Sequence, residues 1–297
     1  MFQFAIYNSP KTLEEAYNTL VENKNNLILG GTSFLRMGNR KYNTAIDLCN
    51  LNLSYIKEEN DCFHIGAMTS FRDVETNLAL KEYYSGMVGK SLENILGVQF
   101  RNNATVGGTV FSKLGFSDFI PVLLSLNTTV VFYKGGEISL KEYLMEEKNR
   151  KDVLIEIKIK KEFIKCSFQT VRKTTTDYAI LNLVLSKTIE DNYKLVLGST
   201  PKRALIAEKT SELLNKLKNV TTLKGTFKSQ SADLNGLLRT VLQSWTFNRV
   251  NTPQYKPTYI LFTPKGTEIN THFKNDCTLC TQIVPNHCNM WLCNISM

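Results

Sequence analysis

Val98 to Asp118 reads VQFRNNATVGGTVFSKLGFSD, and at its centre stands the turn signal Thr105-Val106-Gly107-Gly108. A shorter run of similar character lies upstream: LILGGTSFL, from Leu27 to Leu35. Glycine carries no Cβ, so a bend built on it lets backbone N–H groups approach an anion that a side chain would hold off. Upstream, Gly30 and Gly31 meet that need after the short apolar strand Leu27-Ile28-Leu29, Thr32 and Ser33 add hydroxyls, and Phe34-Leu35-Arg36-Met37 opens a short helix. Downstream, Gly107 and Gly108 offer close backbone approach, Thr105, Thr109, Ser112 and Ser117 supply hydroxyls, and Asp118 is an acceptor suited to ribose. Two separated cradles match a ligand with two polar regions, such as a dinucleotide. Neither run is the G-x-G-x-x-G of a Rossmann unit, which counts against a nicotinamide domain of that kind.

Outward from these runs, the chain divides by its periodicities. Phe2, Phe4 and Ile6 alternate as a strand, Ser9-Pro10 signals a helix start, and Leu13, Ala16, Tyr17, Leu20 and Val21 recur at helical spacing. With the strands NLIL and NTAIDLCNL, the expected first unit is a small β-α-β element over residues 1–52. A hairpin turning at Glu59-Asn60-Asp61, a capping pair Ser70 and Asp73, a helix through GKSLENILG, the apolar segment FIPVLLSL and the paired strands TTVVFYK and EISL predict an α+β unit over 53–160. The alternating strands VLIEIKIKK and CSFQTVRKT lead to a third unit over 161–265, with the strand NYKLVLGST and helices EKTSELLNKL and ADLNGLLRTVLQSW. Residues 266–297 form a Cys-rich tail expected to be loosely ordered.

At 297 residues, 42% hydrophobic and 21% charged, the composition is that of a globular chain, and no apolar run is long enough to span a bilayer. The start shows no secretory leader, so the cytoplasm is the expected location. Lys and Arg exceed Asp and Glu by 36 − 27 = 9, but the excess is scattered and accompanies no nucleic-acid-binding motif. Cys49, Cys62 and Cys166 stand singly in apolar or alternating surroundings and read as small hydrophobes. In the tail, Cys277, Cys280, Cys288 and Cys293, with His272 and His287, match neither a ferredoxin spacing nor a paired zinc knuckle, so no metal is expected.

The two glycine runs, in this order, resemble the FAD-binding medium subunit of the molybdenum hydroxylases, the xanthine and carbon monoxide dehydrogenase type. The family's A-G-G-T-x-L is matched by Leu29-Gly30-Gly31-Thr32-Ser33-Phe34, and its Q-I-R-N-x-A-T-x-G-G-N by Gln99 to Thr109, followed by Ser117-Asp118 and Pro121. A third likeness is the basic pair Arg172-Lys173 with Asp177 and Ala179. The resemblance covers about residues 1 to 265. It implies an α+β, two-subdomain FAD-binding fold of the PCMH type followed by a C-terminal α/β sandwich domain. It also implies that Leu27, Ile28, Leu29, Gly30, Gly31, Thr32, Ser33, Phe34 and Leu35 hold the pyrophosphate. Ala104, Thr105, Gly108, Thr109, Ser112, Ser117 and Asp118 would line the adenosine and ribityl parts, with Ile95, Leu96 and Leu154 as apolar neighbours of the rings and Asp177 in the third motif. Three positions depart from the pattern: Thr109 replaces an Asn, Lys113-Leu114-Gly115 replaces A-S-P, and Gln169 stands where some relatives place a flavin-side Lys.

By the same resemblance, the chain takes electrons from a [2Fe-2S] subunit fed by a molybdopterin subunit and passes them through FAD to NAD+, binding neither nucleic acid nor membrane. The sequence offers no nucleophile–base constellation, and His64 on an apolar strand reads as a satisfied structural residue, so no catalytic residue is expected. The alternative is a stand-alone flavin-dependent oxidoreductase acting on a small molecule, which calls for an acid or base at the flavin that this sequence does not display.

Overall fold

The computed structural model describes residues 2–148, 150–161, 165–200 and 202–217, together with the backbone of a two-stranded pair, Leu261–Phe262 with Glu268–Ile269. The expected helix at Ala232 to Trp245 and the six Cys and His residues of the tail lie outside the described residues.

The first unit is a parallel sheet of three strands in the order β1 (Gln3–Asn8), β3 (Lys41–Asp47), β2 (Leu27–Leu29), with helix α1 (Leu13–Glu22) between β1 and β2. Parallel neighbours need a crossover, and α1 provides it. Its Ala16 and Leu20 pack on Ile46, Leu48 and Leu53, the face that the helical spacing predicted. The helix starts later than the Ser9-Pro10 signal suggests: Thr12 is the N-cap, its hydroxyl accepting the Glu15 N–H at 3.1 Å, while the Glu15 carboxylate accepts the Lys11 N–H at 2.9 Å.

The second unit is an antiparallel sheet in the order β4 (Ile56–Glu59), β5 (Cys62–Gly66), β8 (Leu154–Lys160), β6 (Thr128–Phe132), β7 (Gly136–Ser139). The β4–β5 turn falls at Asn60-Asp61, with Asn60 left-handed at φ +50°. Phe63, Ile65, Val130, Ile157 and Ile159 face the helices α2 (Phe71–Thr76), α3 (Leu78–Tyr83), α4 (Met87–Glu93), α5 (Val98–Asn103), α6 (Val106–Ser112), α7 (Phe119–Ser125) and α8 (Leu140–Met145). Ser70 and Asp73 form the expected capping box of α2. The apolar segment FIPVLLS is helix α7, and all seven of its residues are buried because it is covered from both sides, by β6 of this unit and by the strands of the next.

That next unit is an antiparallel sheet in the order β12 (Leu205–Ile206), β11 (Tyr193–Gly198), β10 (Leu181–Lys187), β9 (Lys165–Val171). One face meets α7, through Phe168, Val184 and Val196. The other carries Leu181, Leu183, Leu185, Leu195 and Leu197 and meets α9 (Glu208–Leu217). Gly198 sits where an added Cβ would lie 2.3 Å from Pro121 Cγ, so the seam between α7 and β11 admits no side chain there. Among the described residues no helix is long and apolar enough to cross a membrane. Of the lone cysteines, Cys166 packs against the main core and burial pushes its thiol up to about 12, Cys62 is half-buried, and Cys49 is exposed with its sulfur 3.4 Å from Ser9 Oγ, contrary to a buried role.

Candidate functional site

The two glycine pairs, some 75 residues apart in the chain, touch in space. A Cβ added at Gly31 would lie 1.9 Å from the Asn103 carbonyl oxygen, and one at Gly108 would come within 3.8 Å of Gly30 Cα and of Gly31 N. Thr105 stands at the crossing: its hydroxyl accepts the Gly108 N–H at 3.1 Å and is 3.0 Å from where a Cβ on Gly30 would be. The expected pair of separate cradles is therefore one loop buttressed by a helix. Thr105-Val106-Gly107-Gly108 is no turn but the start of α6, with Thr105 as N-cap. Its donors are taken by protein: Val106 N–H by Thr69 O at 3.0 Å, Gly107 N–H by Ala67 O at 2.7 Å, and Gly108 N–H by Thr105. Gly107 is glycine for close packing, since an added Cβ would fall 2.7 Å from Ala67 Cβ and from its carbonyl oxygen.

The upstream loop is the opposite case. Among the described residues, none accepts a hydrogen bond from the backbone N–H groups of Gly31, Thr32, Ser33, Phe34 or Leu35. Thr32 is left-handed at φ +52°, a region that a β-branched residue rarely enters and that costs about 1–3 kcal/mol. Left-handed residues inside such a bend converge successive N–H groups, the geometry of an anion nest. Leu27 to Ser33 are half-buried and Phe34 is exposed, so the loop lies at the surface rather than in the core. These residues fit a diphosphate: five consecutive backbone donors that meet no acceptor among the described residues, on a bend that its glycines let pack against Asn103, Thr105 and Gly108.

Around this loop, three aromatic rings from three parts of the chain meet in a file. Phe34 is 5.3 Å from Phe116 between ring centroids, and Phe116 is 4.9 Å from Tyr178 in an edge-on contact. The sequence reading did not single out Phe116 or Tyr178. Ser112 and Ser117 hydroxyls are engaged locally, the first donating to Thr109 O at 2.9 Å and the second accepting the Ile120 N–H at 3.2 Å.

Asp118 is turned inward. It is buried, its carboxylate accepting from Arg172 Nη2 and from Asn182 Nδ2 at 2.7 Å, so its oxygens are committed to protein rather than held out for a ribose. Arg172 Nη1 also donates to the Asp177 carbonyl at 2.7 Å, which places Asp177 in the exposed loop that carries Tyr178. Leu154 is buried in β8 as part of the main core, and its side chain packs there instead of lining the loop. Strand alternation puts Gln169 on the face of β9 opposite to Thr170 and Arg172, so it does not face Asp118. Lys113, in the segment that replaces A-S-P, is buried with its ammonium 3.8 Å from the Tyr143 ring centroid and donating to the Glu146 carbonyl at 3.3 Å. Gly115 in that segment would place a Cβ 2.5 Å from Thr200 O, so it too is required by packing.

Ile95 and Leu96 form a turn before α5, Leu96 being left-handed at φ +48° and 49% exposed. Arg101, buried in α5, donates through Nη1 to Ile95 O at 3.1 Å and Leu96 O at 3.0 Å, and through Nε and Nη2 to Glu75 at 2.8 and 3.2 Å. Burial alone would raise the Glu75 pKa, but the Arg101 and Arg72 guanidiniums outweigh it and hold the carboxyl below its ordinary range. A carboxyl depressed in the folded state contributes stability above its unfolded pKa, about 4.3, and that contribution disappears as pH falls through the lower folded value. Glu75→Gln is expected to flatten the acid limb of a melting-temperature profile below about pH 4.3 while lowering the neutral plateau. An unchanged acid limb in the variant counts against the pairing.

His64 is not part of this surface. Its Nδ1 is 3.0 Å from Glu156 Oε1, and Glu156 also accepts from the Tyr55 hydroxyl at 2.8 Å, the satisfied structural role that its strand suggested. Among the described residues no cluster of His, Cys, Asp and Glu has metal-holding geometry.

Among the described residues, a half-buried glycine bend whose N–H donors meet no acceptor is abutted by a second glycine-bearing helix where a β-α-β unit meets an antiparallel α+β unit, an arrangement suited to a nucleotide cofactor. Residues 1–160 match the family described as the FAD binding domain in molybdopterin dehydrogenase, and the chain belongs to that family. The Escherichia coli protein YgfM is 25% identical over 161 residues, which cover 54% of this chain and 60% of that one. The nicotinate dehydrogenase FAD-subunit of Eubacterium barkeri is 30% identical over 130 residues, 41% of this chain and 44% of the relative. The chain thus aligns with 60% of the length of the first of these relatives and less than half of the second. In fold, it superposes on a chain of the Cu,Mo-CO dehydrogenase structure with a TM-score of 0.64 at 18% identity, over 71% of this chain and 80% of the other.

Proposed function

We propose that this chain is the flavin subunit of a cytoplasmic molybdopterin-dependent dehydrogenase, receiving electrons from a [2Fe-2S] subunit that a molybdopterin subunit feeds, and delivering them from FAD to NAD+. The observation that carries the reading is the run of backbone donors from Gly31 to Leu35, which meet no acceptor among the described residues, in a chain of the FAD-binding family. FAD, when bound, supplies the ability to exchange electrons singly or in pairs. The chain's own residues bind and orient. Gly30 to Leu35 would hold the diphosphate, and Thr105, Gly107 and Gly108 support that loop from behind. The file Phe34, Phe116 and Tyr178 would cover the adjoining surface and keep water from it. The three units at 1–52, 53–160 and 161–265 would act as two cofactor-holding parts and a third closing over them.

A relative that is named for its FAD subunit supports the partner scheme. The organic substrate would be chosen on the molybdopterin subunit, not here. The test is spectroscopic: purified protein, supplied with FAD and desalted, is expected to retain absorbance bands at about 370 and 450 nm and to bleach when NADH is added without oxygen. Absence of both bands ends the flavin reading, and retained bands with no bleaching remove NAD+ as the acceptor.

A further inference from the structure

Among the described residues, the outer edge of β1 differs from the other sheet edges of the three units. β4 carries Lys57, Glu58 and Glu59, β7 carries Glu137 and β9 carries Lys165, while β2 and β12 are three and two residues long. Charge and brevity keep an edge from pairing with another chain. β1 has neither: Gln3-Phe4-Ala5-Ile6-Tyr7-Asn8 is six residues without a charge, and it pairs on one side, with β3. Phe4, Ile6 and Tyr7 are 43%, 54% and 54% exposed, and among the described residues no strand pairs with the other side. One bond fixes where each backbone group of this strand points. The Gln3 N–H donates to Arg40 O at 3.1 Å, toward β3. Backbone groups alternate sides along a strand, so Gln3, Ala5 and Tyr7 turn theirs to β3, and Phe4, Ile6 and Asn8 turn theirs outward. Side chains alternate between faces with the same period. Asn8 lies on the α1 face, its Nδ2 donating to Thr19 Oγ1 at 3.1 Å, so Phe4 and Ile6 share that face. The residues with outward N–H and C=O groups are therefore the ones that carry exposed apolar side chains.

We infer that β1 pairs with β1 of a second copy of this chain, antiparallel about a two-fold axis at Ala5, joining two three-stranded sheets into one of six strands. A two-fold contact must be complementary to itself, and this strand meets that condition. With the axis at Ala5, Phe4 of each copy stands opposite Ile6 of the other as a hydrogen-bonded pair, and both pairs lie on the α1 face. On the other face Ala5, the smallest side chain of the strand, meets its own copy, and Gln3 stands opposite Tyr7. An axis at Ile6 would set Phe4 against Asn8 instead, whose amide is already engaged with Thr19. Because the strand carries no charge, the axis sets none of its residues against a like charge. The glycine loop follows β2, at the far edge of the sheet, so this pairing leaves the loop of each copy open.

Two six-residue strands make a small contact, so the dimer is expected to be reversible, with a Kd on the order of 1–100 µM. Sedimentation of the full chain over a dilution series is expected to pass from twice the mass of one chain to the monomer. Phe4→Lys combined with Ile6→Lys changes two exposed positions, and is expected to be monomeric throughout while keeping the far-ultraviolet circular dichroism of the wild type. A second measurement reads the register and leaves the apolar pair in place. Ala5→Cys sets two thiols across a non-hydrogen-bonded pair with about 4.5 Å between Cα atoms, inside the disulfide range of about 4.4–6.8 Å. Gln3→Cys sets them about 14 Å apart along the strands, out of reach. The chain has seven cysteines of its own, so peptide mapping after mild oxidation locates the link. The introduced thiols of Ala5→Cys are expected to join at least about tenfold more than those of Gln3→Cys. A wild type that is monomeric at every concentration, a dimer that survives the double lysine change, or equal linking in the two cysteine variants overturns the inference.

Discussion

Gly31→Ala is expected to give a folded protein that no longer retains FAD, with affinity lower by about 100-fold, or about 3 kcal/mol. The added methyl would meet the Asn103 carbonyl oxygen at 1.9 Å, its carbon at 2.7 Å and Ala104 Cα at 2.9 Å. All three are backbone atoms in the tight link between α5 and α6, so no rotamer change relieves the clash. Overpacking of this kind costs about 1–3 kcal/mol when the structure yields, and here the cheaper part to move is the loop, because among the described residues nothing accepts from its N–H groups. Lifting the loop takes the donors out of register with a diphosphate. Gly30→Ala is expected to be milder, since its nearest neighbours, Thr105 Oγ1 at 3.0 Å and Gly108 Cα at 3.1 Å, leave a few tenths of an ångström to recover. Flavin fluorescence titration of both variants checks the ranking. Wild-type affinity in Gly31→Ala would mean that the diphosphate lies elsewhere.

That contrast also shows which parts of the site were legible in the chain. The glycine pairs and their hydroxyl neighbours could be found because tight turns and helix caps are written in adjacent residues, as in Thr105 with Gly108 or Ser70 with Asp73. Strands with one wet face were equally readable from alternation. What adjacency does not record is which N–H groups remain free. Gly31 and Gly107 look alike in sequence and both are glycine because backbone leaves no room, at Asn103 and at Ala67, yet the Gly107 N–H donates to the Ala67 carbonyl while among the described residues nothing accepts from the Gly31 N–H. The protein partners of Asp118 were hidden for the same reason, since Arg172 and Asn182 lie 54 and 64 residues away. The one available hint was Asn182, a polar residue inside the buried strand LNLVLSK. Arg101 was quoted within its motif without a role, since its acceptors, the Ile95 and Leu96 carbonyls, have no sequence signature at all.

Asp118→Ala is expected to cost more stability than any other polar truncation in the site, about 3–5 kcal/mol, because it strands a cation inside the protein. The Arg172 side chain is 9% exposed and Asn182 is fully buried, and both donate to this one carboxylate. Among the described residues, removing it leaves the Arg172 guanidinium with the Asp177 carbonyl as its acceptor and Asn182 Nδ2 with Ser199 Oγ at 3.1 Å. For a chain of this size that loss lowers the melting temperature by about 10 °C. Asp118 stands at the N-terminus of α7, and its carboxylate accepts from Arg172, which follows β9, and from Asn182 in β10, so its removal loosens the seam between the second and third units rather than one surface loop. The sign of the pairing can be separated from the sign of burial by a double change. Arg172→Met in the Asp118→Ala background is expected to restore part of the lost stability, since an apolar side chain of similar length needs no partner where a guanidinium does. Thermal and urea unfolding of the two single variants and the double variant close the cycle. If the double variant is less stable than Asp118→Ala alone, Arg172 is held by other groups and the carboxylate is not what keeps it folded inward.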